Sequence, residues 1–427
     1  MKRVIIVGGG IGGITTAYLL SKLNYDITIL EKSTSLGGRT KSFYNSLMDD
    51  WYDNGQHLMI KGYEKTITLL EEINALNNFS IQNYFNVKFI NKARRVFKIT
   101  FSKKYEDLKN ILFFEEFSLR DKFNFLKLFL SIQRTNETLF GKFSALDVLK
   151  HLNQSDNLIN RFWNLFIEST MNSTAENCSG EMFLRIVKKM FIENPQNSSL
   201  VIPKFDLTHS LILPFENLLR ERNVKIYVKK RVNGVETNKK RIKKVYCIDG
   251  SEFDSDYFIY TIPMYETSHI FNNVNFSFRE FPGVRTNPII SVHIWFDREI
   301  FDFDFYALLE STFHWIFKNT KHITLVRSAA EELVKLSPKE IFSIAYKEVK
   351  KFFPQLESTQ VIDYKIIKEK KATFVSSVGL DLIRPNFNTE YSNLFLGGDF
   401  VNTGLPSTIE SAVEASFMIF NFFKNMN

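Results

Sequence analysis

Val4-Ile5-Ile6-Val7 runs directly into Gly8-Gly9-Gly10-Ile11-Gly12-Gly13, with glycine at five of the six positions from Gly8 to Gly13. An apolar strand ending in Gly8-x-Gly10-x-x-Gly13 and opening a helix is the pattern of a phosphate-binding βαβ turn. Gly8 permits the tight turn, Gly10 lets the backbone approach a pyrophosphate, and Gly13 lets the helix pack close to the sheet. A second apolar strand, Asp26-Ile27-Thr28-Ile29-Leu30, ends at Glu31. A carboxylate about 20 residues past the glycines accepts both ribose hydroxyls and repels a 2′-phosphate. Strand, turn, helix, strand and acid together predict a dinucleotide site.

Leu36-Gly37-Gly38-Arg39-Thr40 follows Glu31, and adds a second backbone approach and a cation near the same phosphates. A nicotinamide domain has no need of it. Near the C-terminus, Asn393-Leu394-Phe395-Leu396-Gly397-Gly398-Asp399-Phe400 reads as a buried strand ending in Gly-Asp. Thr403-Gly404-Leu405-Pro406-Ser407-Thr408 then opens an apolar-faced helix from Ile409 to Phe423. A carboxylate beside a helix N-terminus suits a polyhydroxyl linker and an anionic ring edge. FAD carries both, in its ribitol and its flavin O2, so the expected cofactor is FAD.

The 427 residues are 44% hydrophobic, enough for more than one core, and include 43 Phe. A net charge of +8 is drawn largely from Lys. The densest basic run, Lys225 to Lys244, reads as a β-hairpin with Ile226-Tyr227-Val228 and Val245-Tyr246-Cys247 as its strands, a solvated face and not a nucleic-acid module. Cys178 and Cys247 define no disulfide framework and fit a reducing, cytoplasmic compartment. Seven scattered His predict no metal site. No stretch of about 20 apolar residues is present, and the glycine-rich start argues against a signal peptide.

The expected fold is α/β: a Rossmann-like FAD-binding domain of the two-dinucleotide-binding-domain flavoprotein type, with an inserted α+β substrate domain. Residues 1–80, 200–284 and 386–427 make the discontinuous FAD domain, and 81–199 and 285–385 the substrate domain. The stretch from 85 to 195 reads as largely helical, and its Phe- and Leu-rich part around 113–130, including Phe113 and Phe114, as a core face or as a membrane-facing or substrate-entry surface. Ile289 to Phe296, Phe313 to Phe317 and His322 to Val326 read as strands, and Glu340 to Phe353 as a helix.

These segments resemble the FAD-dependent amine oxidase and phytoene desaturase superfamily. Within it they are most similar to the hydroxysqualene dehydroxylases. The narrower likeness rests on Asp53-Asn54-Gly55-Gln56-His57, Phe162-Trp163, Asn172 with Ser179, Pro203, His293 to Asp297, His314 to Phe317, Arg384-Pro385 and Thr403 to Glu410. The resemblance implies non-covalent FAD contacts at Gly8, Gly10, Gly13, Glu31, Gly38, Arg39, Gly55, Gln56, Val232, Gly398, Asp399, Thr408 and Ile409. It implies reductive removal of an allylic hydroxyl from an apolar C30 isoprenoid. That chemistry needs a proton donor, a π-rich dry pocket for an allylic cation, and hydride from flavin N5. His57, with an unperturbed pKa near 6.5, is the first candidate acid; Glu168 and Glu176 are further candidates. Phe162, Trp163, Trp295, Phe313 and Trp315 are available to face the cation. An oily substrate with Lys and Arg around 113–130 implies peripheral attachment to an anionic membrane, on its cytoplasmic side. No nucleic-acid partner is expected, and no motif identifies the electron donor. An oxidative carotenoid-type desaturase, an amine oxidase and a non-catalytic flavin-binding protein remain open on the same motifs.

Overall fold

The computed structural model describes residues 1–101, 117–271, 284–299 and 301–426; Phe113 and Phe114 lie outside them. Strand β1 (Lys2–Val7), helix α1 (Ile11–Leu20) and strand β2 (Tyr25–Leu30) form the N-terminal unit. β1 sits in the middle of a five-stranded sheet, flanked by β2 and then Lys225–Tyr227 on one side, and by Tyr257–Tyr260 and then Leu394–Leu396 on the other. Every pairing in this sheet is parallel. Such a sheet is buried on both faces, which is why its strands are continuous apolar runs without alternation. α1 is buried nearly all round, packed against the helix Ile409–Met426. Ser416 Oγ donates to the Gly12 carbonyl at 3.0 Å, locking the two helices where they cross.

A seven-stranded sheet runs in the order Val361–Phe374, Thr286–Phe296, His322–Arg327, Trp315–Lys318, Phe305–Leu308, Phe85–Ile90, Val96–Phe101. Two chain segments therefore share it, joined by the parallel pairing of Ala307 with Phe89. Successive residues face opposite ways. Ile290, Val292, Ile294 and Ile316 pack in one cluster with Ile341, Ala345 and Val349 of the helix Pro338–Phe352. Val87, Phe89 and Phe317 pack in another with Phe125, Leu128, Trp163 and Phe183 of the helical layer 117–193. A small sheet of Met59–Ile60, Leu200–Pro203 and Phe79–Ile81 ties the two regions together.

Three expectations need correction. Residues 85–101 are a β-hairpin, not helix; Phe85-Asn86-Val87-Lys88-Phe89 alternates with period two, as an edge pair with one buried face requires. Lys225–Tyr227 is no hairpin arm but the parallel edge strand beside β2, and the hairpin is Val232–Asn238 with Arg241–Cys247. In the basic run as a whole, Lys225, Lys230, Arg231, Lys243 and Lys244 are ion-paired, as in Lys225–Asp26 at 2.9 Å and Lys244–Glu252 at 2.9 Å. The strand expected from Phe313 begins at Trp315, and Phe313 is buried under the Pro338–Phe352 helix. Among the described residues no helix is long and apolar enough to cross a membrane.

Candidate flavin and substrate site

The carboxyl ends of the five parallel strands are where ligands bind in an open α/β sheet. Gly8 follows Val7, Glu31 follows Leu30, Thr261 follows Tyr260, and Gly397-Gly398-Asp399 follows Leu396. Gly8, Glu31, Thr261, Gly398 and Asp399 line one cavity of about 690 Å³. Gly8 holds φ +107° and Gly398 φ +97°, a backbone region that L side chains rarely adopt. A Cβ on Gly13 would sit 1.9 Å from the Gly8 carbonyl oxygen, so Gly13 does not line the cavity but sets how closely α1 approaches the turn. At Gly10 the space a Cβ would take is open, the cradle a pyrophosphate needs.

Glu31 is held by two backbone donors: Gly9 N–H to Oε2 at 2.7 Å and Ser33 N–H to Oε1 at 2.7 Å. Its remaining lone pairs suit ribose hydroxyls. Gly37 N–H donates to the Gly9 carbonyl at 2.8 Å, which lays the Gly37-Gly38-Arg39 loop against the glycine turn. Arg39 then reaches Asp399 at 2.7 Å, joining residues 360 apart in sequence. Burial alone would push the Asp399 carboxyl up, but the Arg39 guanidinium and the Ser407 hydroxyl hold it below its usual value. An ionised Asp399 beside Arg39 fits a site for phosphates and a polyhydroxyl chain. Gly38, Gly55, Gln56, Val232, Thr408 and Ile409 line the same cavity, so the residues present fit FAD along its length.

Beyond this cradle the cavity turns apolar. Phe85, Val87, Phe162, Phe166, Ile289, Trp315, Phe317 and Val326 line it, and they come from the seven-stranded sheet and the helical layer. Phe162 is carried on a π-helical turn, Ile159–Trp163, a local widening common at functional sites. Of the five aromatic candidates only Phe162 and Trp315 line the cavity. Trp163 is buried with its N–H on Gln154 at 3.0 Å, and Trp295 with its N–H on Asp50 at 2.8 Å.

The acid candidates fare differently. His57 does line the cavity, on a loop anchored by Asp53, which accepts from Leu207 N–H at 2.9 Å and Ser42 Oγ–H at 2.7 Å. Burial, followed by the Arg39 charge, pushes its pKa down to about 4, so the unperturbed value expected above does not hold. At neutral pH the imidazole is neutral, able to hydrogen-bond a hydroxyl but holding no surplus proton. Glu168 does not line the cavity: it pairs with His314 Nε2 at 2.5 Å, with Arg327 beyond at 3.7 Å. Neighbouring helix residues point about 100° apart, so Ser169 meets the cavity and Glu168 turns into the wall. Glu176 is exposed to solvent. Glu410 lines the cavity but caps the helix Glu64–Glu72, accepting from Lys65 N–H and Thr66 N–H at 2.9 Å each.

Thr261 and Ser169 carry roles that the sequence did not suggest. Thr261 Oγ donates to the Val7 and Gly8 carbonyls at 3.1 and 2.9 Å, bracing the glycine turn from the next strand. Its position just past a four-residue apolar strand was the available signal. Ser169 lies between Phe162-Trp163 and Asn172, with no pattern of its own to mark it.

The sequence model of the flavin-containing amine oxidoreductases matches residues 11–417. The chain belongs to that family. The hydroxysqualene dehydroxylase of Zymomonas mobilis is 22% identical over 430 residues, covering 97% of each chain. The 15-cis-phytoene desaturase of Solanum lycopersicum is 21% identical, over 96% of this chain and 76% of that one. An oxidoreductase structure from Methanosarcina mazei superposes with TM-score 0.75 at 14% identity, over 98% of this chain and 100% of that one. Putrescine oxidase bound to putrescine gives 0.72 at 13% identity over 99% of each. These structures support the fold. The enzyme is an FAD-dependent oxidoreductase of the amine oxidase superfamily.

Replacing Glu31 by Ala removes the ribose acceptor and the clamp on Gly9 and Ser33. FAD affinity measured by flavin fluorescence should fall by about 1–3 kcal/mol; unchanged affinity would take Glu31 out of the ribose site. His57→Ala should keep its FAD and lose less than about tenfold in turnover, because a neutral imidazole is a poor acid. A loss of about 10²–10⁴-fold would restore the general-acid role to His57.

Proposed function

We propose that the enzyme reductively removes the hydroxyl of hydroxysqualene to give squalene. The observation that carries this reading is the cavity itself, whose polar cradle opens into a chamber lined by Phe85, Val87, Phe162, Phe166, Ile289 and Val326. Apolar walls exclude water from an allylic cation and accept a long hydrocarbon chain. Likeness to hydroxysqualene dehydroxylase over the whole of both chains supports it further. Bound and reduced, FAD supplies the hydride equivalent. The protein's part is to hold the cofactor by the Glu31 and Arg39–Asp399 cradle, to keep the chamber dry, and to hydrogen-bond the departing hydroxyl through groups such as His57. The C–O bond breaks with its electron pair on oxygen; that oxygen takes the proton that accompanies hydride in the two-electron, two-proton reduced cofactor and leaves as water, and hydride replaces it at carbon.

A second reading is oxidative desaturation of an isoprenoid. It is favoured by the likeness to phytoene desaturases, which use the same flavin motifs. Anaerobic incubation of the photoreduced enzyme with hydroxysqualene separates the two. Squalene should form, and in heavy water should carry one non-exchangeable deuterium at the former carbinol carbon or its allylic partner. Absence of squalene refutes the reading, and squalene without deuterium refutes the hydride step.

We also propose that the enzyme docks on an anionic membrane, with the helix Leu119–Arg134 as part of the contact. Phe125, Leu128 and Ile132 face the core, while Leu119, Phe123 and Leu130 are 80%, 66% and 69% exposed. Spaced at i, i+4 and i+11, they share one face, with Arg120, Lys127 and Arg134 exposed beside them. Each basic residue near anionic lipid contributes on the order of 1 kcal/mol. The protein should float with anionic liposomes at low salt, and replacing Leu119, Phe123 and Leu130 by Ser should leave it in the soluble fraction. Flotation of the triple variant at the wild-type level would remove this helix from the contact.

A further inference from the structure

The chain has four Trp, and the structure puts them to different uses. Trp163 and Trp295 are fully buried with their N–H groups on Gln154 and Asp50, and Trp51 packs edge-on against His209. Only Trp315 lines the cavity. Its Nε1–H donates to Ser169 Oγ at 2.8 Å. With the N–H engaged, the indole has no free donor to offer the chamber, only its ring carbons.

The ring is held from several sides. Its strand, Trp315–Lys318, is hydrogen-bonded between Phe305–Leu308 and His322–Arg327 in the interior of the seven-stranded sheet. Phe317 lies near-parallel at 6.2 Å between ring centroids, and Phe305 also at 6.2 Å. Ser169 is equally fixed. Its helix, Asn164–Met171, ends at Asn172 in the left-handed conformation. The Asn172 amide donates to the Asn287 carbonyl at 3.1 Å and Thr373 Oγ at 2.9 Å, and accepts from Ala329 N–H at 2.6 Å. One residue back, Glu168 meets His314 at 2.5 Å. Two consecutive helix residues thus engage two consecutive residues at the start of the strand, and the polar rung at Glu168–His314 backs the rung that faces the chamber.

We infer that Trp315 stabilises the electron-deficient carbon of the substrate through its π face, with Ser169 as its positioning residue. This rests on the dehydroxylation reading above. Loss of water leaves positive charge on the allylic carbons until hydride arrives from reduced FAD. With an isoprenoid chain filling a chamber of largely apolar walls, few waters are left to stabilise that charge, and an indole is the strongest aromatic partner for a cation. The effect is greatest where water is excluded.

The test uses two shape-matched probes with the oxidised holoenzyme: a polyprenyl chain carrying a dimethylammonium in place of the carbinol carbon, and the same chain with a neutral dimethyl-substituted carbon there. Binding is read from perturbation of the flavin absorbance. The wild-type enzyme should prefer the ammonium by about 10- to 30-fold. Trp315→Leu should abolish the preference while binding the neutral probe within about threefold of wild type. Trp315→Phe should keep part of it; Ser169→Ala should reduce it and Ser169→Thr restore it. A merely structural Trp315 would weaken both probes alike, and that result, or an undiminished preference in Trp315→Leu, overturns the inference. Should Trp315→Leu fail to fold, uniform replacement of Trp by ring-fluorinated Trp keeps the shape and drains the π face. The preference should then fall in the wild-type background and not in Trp315→Phe, and a fall of equal size in both overturns the assignment. Squalene formation by the wild-type enzyme is scored separately. Its absence overturns the dehydroxylation reading, whereas squalene formation together with an intact preference in Trp315→Leu overturns the role of Trp315 alone.

Discussion

Parallel pairing about β1 is the constraint on which the rest of the molecule depends. β1 takes β2 on one side and Tyr257–Tyr260 on the other, and Leu394–Leu396 adds to the latter. Because all run the same way, their carboxyl ends fall in one row, and the residues that follow them meet although they lie hundreds of positions apart. The Arg39–Asp399 ion pair at 2.7 Å exists only because of that row. Taking two such charges out of water is costly unless each is compensated, and here each also has a hydrogen-bond partner: Ala372 O for Arg39 and the Ser407 hydroxyl for Asp399.

The second half of the site depends on a different geometry. The seven-stranded sheet is mostly antiparallel and buries both faces, one under the Pro338–Phe352 helix and one under the helical layer. The chamber lies where that helical layer stands off the sheet. Asn172 sets the spacing, since a single buried amide satisfies partners from three other segments. A rigid wall of this kind fixes aromatic rings more firmly than a loop could.

Several residues illustrate how alike a motif can look before and after folding. His57 arrives where the Asp53–His57 run suggested, yet burial beside Arg39 makes it a different acid from a solvated imidazole. Glu168 is one position from the residue that meets the chamber, and helical geometry alone turns it into the wall. The basic run after Lys225 reads in sequence as one hairpin, but Ile226 and Tyr227 pair in register with Ile29 and Leu30 and so belong to the flavin sheet.

What the chain determined by itself was the local chemistry of short-range patterns. Gly8 and Gly13 are required by backbone geometry within one turn, Gly10 keeps open the space a pyrophosphate takes, and Glu31 follows a strand whose apolar run announces its burial, so the cofactor half was legible from the chain. The C-terminal Gly398-Asp399 and the helix after Thr408 were legible for the same reason. Tertiary structure alone decided which aromatic rings face the chamber, which carboxylates reach it, and that Thr261 braces the glycine turn. Those outcomes depend on contacts between segments far apart in sequence, on which way one turn of helix points, and on how much water burial leaves around a side chain. None of these is written in residue type or spacing.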